Sequence, residues 1–278
     1  MAFHEKLRAK MITLPKKKKD LLPKGYQIIG SILLIKLDRR LLKHKKLIGK
    51  KILEIIPYVK TVALIKEIKK DVRKPKIEVI AGSKNTETVN NEHSCKFLLD
   101  VSDIMWSQGN KNEKMRIAKL VKPRETIVDM FAGIGYFSII IAKHSSIKKI
   151  YAIDINPKAI DYLRKNAWLN KVENKIEVLE GDNRRFSKLL ESTANRIIMG
   201  YLFDTEKFLP YAIKMAKKRA IIHFHRNVKE GREDKIAEKL QKIAEKHGAK
   251  LKVIEKKRIK SYAPKIWHMV FDLRITKY

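Results

Sequence analysis

Asp129-Met130-Phe131-Ala132-Gly133-Ile134-Gly135-Tyr136-Phe137 is the stretch on which the fold reading turns. An apolar strand candidate, 126–130, runs into it and a helical candidate, 136–143, leaves it, so it reads as a strand-turn-helix junction. Gly133 and Gly135 let the backbone turn tightly and approach a ligand at the carboxyl edge of a sheet. The third glycine of a dinucleotide fingerprint is missing and no pyrophosphate loop is evident. A plain tight turn would need the same small residues.

Working outward, strand candidates at 149–153, 175–179, 196–199 and 219–224 alternate with helical segments at 157–169, 186–191, 206–217 and 231–248. This alternation is the signature of a doubly wound, mostly parallel α/β sheet. The last two strand candidates, 251–257 and 267–276, have no helix between them and predict a terminal antiparallel pair. Upstream, the near-continuous apolar run 28–37 reads as one buried strand, followed by a helix over 41–55 that Gly49 weakens or ends. Further strands are expected at 59–65, 77–81 and 96–101. The expected division is a small α+β domain over 1–105, a candidate for RNA contact, and a Rossmann-like catalytic domain over 106–278.

Composition narrows the partner. Lys and Arg number 64 against 30 Asp and Glu, a net charge of +34 in 278 residues, which points to a polyanion. No apolar stretch is long enough to cross a bilayer, and no apolar signal core precedes Lys16-Lys17-Lys18-Lys19, so a cytoplasmic setting is expected. That lysine run makes the segment up to Asp20 a candidate for mobility, because adjacent like charges repel. A single cysteine, Cys95, excludes an internal disulfide and is expected to be a small buried residue.

Two more strand ends carry chemistry. Asp154, about twenty residues past the glycines, stands where a carboxylate accepts ribose hydroxyls; the alternative is a cap for the helix that begins near Pro157. Asp182 and Asn183 end the third strand, where they can accept from an adenine amino group or form an ordinary Asx turn. The three ends describe a nucleoside crevice without a diphosphate site, which favours S-adenosylmethionine over a dinucleotide.

Here the sequence resembles the class I methyltransferase fold. It resembles in particular the family that joins the archaeal and eukaryotic tRNA guanine-37 N1-methyltransferases to the aminocarboxypropyltransferases of tRNA wybutosine synthesis. The resemblance is carried by DMFAGIGYFS (129–138), YAIDINPKAIDYLRKNAWLN (151–170), EGDNRRF (180–186) and MWSQGNKNEK (105–114). It implies that Ser107 and Lys114 hold the cofactor's carboxylate, that Phe131, Ala132 and Gly133 form the floor, and that Asp154 with Ile155, Asp182 with Asn183, and Met199 with Gly200 complete the cofactor set. Enzymes of this fold that methylate base nitrogens place an Asn-Pro-Pro-Tyr or Asn-Leu-Pro motif at the fourth strand end, whereas this chain has Met199-Gly200-Tyr201-Leu202. The resemblance therefore implies transfer of a 3-amino-3-carboxypropyl group to 4-demethylwyosine at position 37 in the anticodon loop of phenylalanine tRNA, releasing methylthioadenosine; a monomer is expected. A guanine-37 N1-methyltransferase and a non-catalytic RNA-binding protein are the alternatives.

No general base is assignable. His223 and His225 share a strand face, as metal ligands can, but no third ligand has suitable spacing, and a structural or RNA-facing role is expected. Tyr136, Trp106 and Trp267 are candidates to stack on a base, with core packing favoured for Trp267. Arg226 and the run 256–262 are expected in loops past strand ends, as phosphate contacts or solvated lysines.

Overall fold

A computed structural model describes residues 2–68 and 75–278, and the chain divides into two compact units between Trp106 and Ser107. In the first unit α1 (Phe3–Lys10) and α2 (Lys16–Lys19) precede β1 (Gln27–Ile29), β2 (Ile32–Ile35), α3 (Lys45–Ile55), β3 (Thr61–Ile68), β4 (Pro75–Gly82), β5 (Glu87–Glu92) and β6 (Cys95–Asp100). The sheet order is β1-β2-β3-β4, with β2 and β3 parallel and the outer pairs antiparallel; β5 and β6 form a separate hairpin. The run 28–37 is therefore two strands and not one. Gly30, at φ +54°, turns the chain back, and its N–H donates to Asn90 Oδ1 at 3.2 Å.

Gly49 does not end α3. It lies inside the helix because a Cβ there would meet the Ala81 Cβ at 2.8 Å, so glycine lets the helix close onto β4. The basic N-terminal segment is also ordered: Leu7, Met11 and Leu14 enter the same core as Leu33, Ile48, Ile52 and Val62, which offsets the lysine repulsion. Cys95 is fully buried. Strand β5 escapes apolar periodicity because its buried positions are Thr88 and Glu92.

The second unit runs α4 (Lys111–Leu120), β7 (Thr126–Asp129), α5 (Ser138–His144), β8 (Lys149–Asp154), α6 (Pro157–Leu169), β9 (Ile176–Glu180), β10 (Ala194–Met199), α7 (Leu209–Met215), β11 (Ala216–Lys229), α8 (Glu233–Lys246), β12 (Ala249–Ala263) and β13 (Ile266–Lys277). Its sheet order is β12-β13-β11-β10-β7-β8-β9. The five strands from β11 to β9 are parallel, and β13 inserts antiparallel between β11 and β12. Leu209, Ile213, Leu240 and Ala244 of α7 and α8 share a core with Ile222, Phe224 and Phe271, so the alternating residues His223, His225 and Asp272 face the opposite side of the sheet. At the start of α6, Asn156 caps by accepting from the Lys158 N–H at 3.1 Å, with Pro157 in the first turn.

Three expectations need correction here. The helix expected at 186–191 is a single 3-10 turn, Arg185–Ser187; Asp182 Oδ1 accepts from the Arg184 N–H at 2.9 Å, and Ser187 Oγ donates to the Arg184 carbonyl at 2.8 Å, local bonds that compete with helix. The helix expected at 206–217 is α7, preceded by a 3-10 turn, Thr205–Phe208, and gives way to β11 at Ala216. Strands β11 and β12 run well past their expected ends, so Arg226 and residues 256–262 belong to the long hairpin sheet and not to loops. No described helix is long and apolar enough to cross a membrane.

Candidate active site

The carboxyl ends of β10, β7, β8 and β9 lie side by side, and most of the candidate site residues sit on them. Main-chain bonds tie the ends together: Met130 N–H donates to the Ile198 carbonyl at 3.0 Å, Ala132 N–H to Ile153 at 2.9 Å, and Gly181 N–H to Asp154 at 2.9 Å. Gly133 adopts φ +56° and Gly135 φ +95°, a region that side chains other than glycine rarely enter. A Cβ on Gly135 would lie 2.6 Å from Ile139 Cγ1 and 2.7 Å from Leu163 Cδ1, so the loop can pack there only as glycine.

Asp154 does not cap α6. Its Oδ2 accepts from the Gly133 N–H at 2.7 Å and its Oδ1 from the Asn156 N–H at 2.9 Å, which clamps the glycine turn to the end of β8. Burial pushes its carboxyl up, against the pull of those backbone donors. Each oxygen keeps lone-pair capacity for a hydroxyl donor. Ile155, beside it, is 68% exposed, an apolar side chain left open at a strand end.

At the end of β9 the two candidate groups differ. Asp182 is engaged by the Arg184 guanidinium and main chain, which holds its carboxyl below the usual range. Asn183 is buried, donates through Nδ2 to the Met130 carbonyl at 3.0 Å, and leaves Oδ1 buried with no partner in the protein. An orphaned buried acceptor is expensive unless a ligand or water meets it.

Ser107 lies on the segment entering α4, and Lys114 lies in the first turns of that helix. Ser107 Oγ accepts from Lys260 Nζ at 3.0 Å, and the Lys260 chain fills the space beside Gly109. Lys114 is fully buried, with its ammonium 5.2 Å from the centre of the Tyr136 ring. That same half-buried ring lies 2.7 Å from where a Cβ on Gly133 would be, so Tyr136 connects Lys114 to the glycine turn. Met199 is buried at the end of β10, and a Cβ on Gly200 would meet the Phe137 ring at 3.3 Å.

Of the other candidates for base stacking, Trp106 is buried against Phe97 in the first unit, and Trp267 packs against the core of the second under the Arg258 guanidinium. Arg226 pairs with Glu206, which also takes Lys239 at 2.6 Å. His223 is committed to Asp272 and Arg196 at 2.6 and 2.7 Å, and His225 Nδ1 lies 3.0 Å from His268 Nε2. Among the described residues no group of three or more His, Cys, Asp or Glu could hold a metal ion.

Sequence reasoning assigned no role of their own to Asp129 and Phe137, although both lie in the stretch that carries the fold, and placed Lys260 in a basic run past a strand end and not beside Ser107. Asp129 is fully buried, and burial pushes its carboxyl up to about 7, against bonds from Ser138 and the Phe131 main chain. Because this folded value exceeds the unfolded one, the stability it contributes is present at acid pH and is lost as pH rises from about 4 through about 7. Asp129→Asn is expected to remove that loss: the variant should gain melting temperature over wild type at pH 8, and more than at pH 5. A pH-independent difference in thermal unfolding would reject the assignment.

The crevice thus offers a carboxylate beside a close-approach glycine turn, an open apolar side chain, an unfilled buried amide acceptor and, behind Tyr136, a buried lysine. This donor and acceptor set fits a nucleoside joined to an amino acid. Two family models match the chain, one described as the TRM5/TYW2 methyltransferase domain over residues 88–254 and one as the TYW2 N-terminal domain over residues 5–86. The tRNA(Phe) (4-demethylwyosine(37)-C(7)) aminocarboxypropyltransferase of Methanocaldococcus jannaschii is 41% identical over 91% of this chain and 98% of its own length. The tRNA (guanine(37)-N(1))-methyltransferase Trm5b of Pyrococcus abyssi is 34% identical over 96% of this chain and 79% of its own length. A crystal structure of P. horikoshii TYW2 in complex with MeSAdo superposes with a TM-score of 0.87 and 38% identity, covering 99% of this chain and 100% of that one. With a family model matching most of its second unit and relatives matched along nearly its full length, this chain belongs to the TRM5/TYW2 family.

Proposed function

We propose that this protein transfers the 3-amino-3-carboxypropyl group of S-adenosylmethionine to C7 of 4-demethylwyosine at position 37, in the anticodon loop of phenylalanine tRNA, and releases methylthioadenosine. The observation that carries the reading is the end of β10, where Met199, buried, and Gly200, half-buried, offer no side-chain acceptor for a base nitrogen. The match to a TYW2 N-terminal domain and the near-complete mutual coverage with the M. jannaschii aminocarboxypropyltransferase support it.

Bound S-adenosylmethionine supplies a sulfonium centre whose three attached carbons are all electrophilic. Which carbon reacts is a matter of orientation: the one held in line with the nucleophile at near-attack distance. Ser107 and Lys114 would hold the carboxylate and so turn the aminocarboxypropyl arm toward the acceptor. Asp154 would take the ribose hydroxyls, Ile155 would lie against the adenine, and Asn183 Oδ1, with Asp182 beside it, would accept from the adenine amino group. Phe131, Ala132 and Gly133 would form the floor, with Met199 and Gly200 at the edge toward the acceptor. The first unit would add contacts to the tRNA, and the protein would act as a monomer in the cytoplasm.

The test is mass spectrometry of both products after incubation with S-adenosylmethionine and tRNA(Phe) bearing 4-demethylwyosine. Methylthioadenosine together with tRNA heavier by one aminocarboxypropyl group is expected. S-adenosylhomocysteine with a methylated guanine, in a parallel incubation with tRNA that carries an unmodified guanine at position 37, would favour the guanine-37 methyltransferase, and tRNA binding with no product from either substrate would favour a pure binder.

A further inference from the structure

Five aromatic rings form a continuous series from the glycine turn to the surface of the second unit. Phe131 stacks on Tyr201 with centroids 5.1 Å apart and planes 16° apart, and Phe208 closes against both. Tyr201 then meets Phe203 at 5.8 Å, and Phe203 meets Tyr262 edge-on at 6.1 Å. Phe131, Tyr201 and Phe208 are half-buried, whereas Phe203 is 41% and Tyr262 48% exposed. The two outer rings come from different segments, the turn after β10 and the far end of β12, and meet beside the acceptor end of the crevice.

Two large rings left open side by side are an uncommon feature of a soluble surface and mark a contact site. Their surroundings choose the partner. Lys256, Lys257 and Arg258 precede Tyr262 on β12, Lys265 stands at the hairpin turn, and Arg184 and Arg185 follow β9, all exposed. Some of these cations are matched by acids, Arg184 by Asp182, Lys256 by Asp234 and Arg258 by Glu230 and Glu233, but the chain as a whole carries +34. An apolar protein face or a lipid core would leave that charge uncompensated. An unpaired nucleobase has an aromatic face to stack and a phosphate on each side to meet the cations.

We propose that Phe203 and Tyr262 form a stacking surface for the nucleobase next to the reacting one. The inference rests on the tRNA reading above. A base that enters the crevice must leave its stack, which uncovers the face of its neighbour. The exposed pair covers that face, holds the loop open, and so helps position the reacting base although it does not touch it.

The experiment compares wild type with Phe203→Ala, Tyr262→Ala and the double variant, and with the aromatic exchanges Phe203→Tyr and Tyr262→Phe. The double variant should raise the KM for tRNA by about 10- to 100-fold, with the exchanges near wild type. Affinity for S-adenosylmethionine should stay unchanged, as should the slope of log affinity against log salt, because no charge is removed. In tRNA carrying 2-aminopurine on either side of position 37, in separate samples, binding should quench one probe with wild type and not with the double variant. A double variant with wild-type KM and quenching overturns the proposal, and so does one that also loses cofactor affinity, since the rings would then merely support the crevice. Wild-type protein that yields no methylthioadenosine is a failure of the proposed activity and is seen before any variant is compared.

Discussion

Asp272→Ala is expected to lower the unfolding free energy by about 3–5 kcal/mol, because it leaves buried donors without their acceptor. The Arg116 guanidinium donates to Asp272 at 2.7 and 3.1 Å and to Glu113 at 2.7 Å through two further bonds. Arginine can only donate, so His223 Nε2 must accept from Arg196 at 2.7 Å, which puts the ring proton on Nδ1, donated to Asp272 at 2.6 Å. His223 is thus a neutral imidazole of fixed tautomer, consistent with burial pushing its value down. Arg196 finishes the chain on Glu125, with bonds of 2.7 and 3.1 Å. Burial alone would raise the Asp272 carboxyl, but the His223 and Arg116 bonds outweigh it and hold it far below the usual range. Its stabilisation is therefore present above about pH 4 and fades as the pH falls further, so the gap between wild type and variant should narrow in acid. Asp272→Asn keeps an acceptor for His223 and should cost less. Equal stability of Asp272→Ala and wild type at pH 7 in denaturant titration would show that the network adds nothing.

The largest expected effect on binding belongs to Asp154→Ala, which should weaken S-adenosylmethionine affinity by about 100-fold, equivalent to about 2.7 kcal/mol. Two losses combine: the proposed acceptor for the ribose hydroxyls, and the clamp on the Gly133 N–H. The fold should survive, since the carboxylate sits at the rim and Asn156 caps α6 on its own. Asp154→Asn, which keeps one carbonyl acceptor, should fall between the two. Because the carboxylate form does the accepting and burial raises its value, wild-type affinity should decline in acid sooner than an exposed aspartate would allow. Calorimetric titration checks both, and unchanged affinity in the alanine variant would remove Asp154 from the ribose role.

The strand-turn-helix of β7 and α5 and the chemistry-bearing strand ends were legible because each is a local pattern: an apolar run, a small-residue turn, an acid at the next strand's end. The same locality explains the misreadings. In the run 28–37 the apolar count is uniform, and only the Asn90 acceptor for the Gly30 N–H marks where the chain turns. For Gly49 the deciding fact is the 2.8 Å approach to Ala81 on another strand. Residues 256–262 looked like a solvated loop because their lysines mask a strand that is held by pairing with β13.

By itself, then, the amino-acid order determined the βα alternation, the large excess of positive charge and the turns and acids at the strand ends, since those depend on periodicity, composition and patterns within a few residues. Only the tertiary structure decided that β13 lies between β11 and β12, that Asp272, His223, Arg116 and Arg196 share one buried network, and that Phe203 meets Tyr262. Such pairings close long loops, and their partners are selected by burial and hydrogen bonding across the whole sheet, which no local pattern encodes.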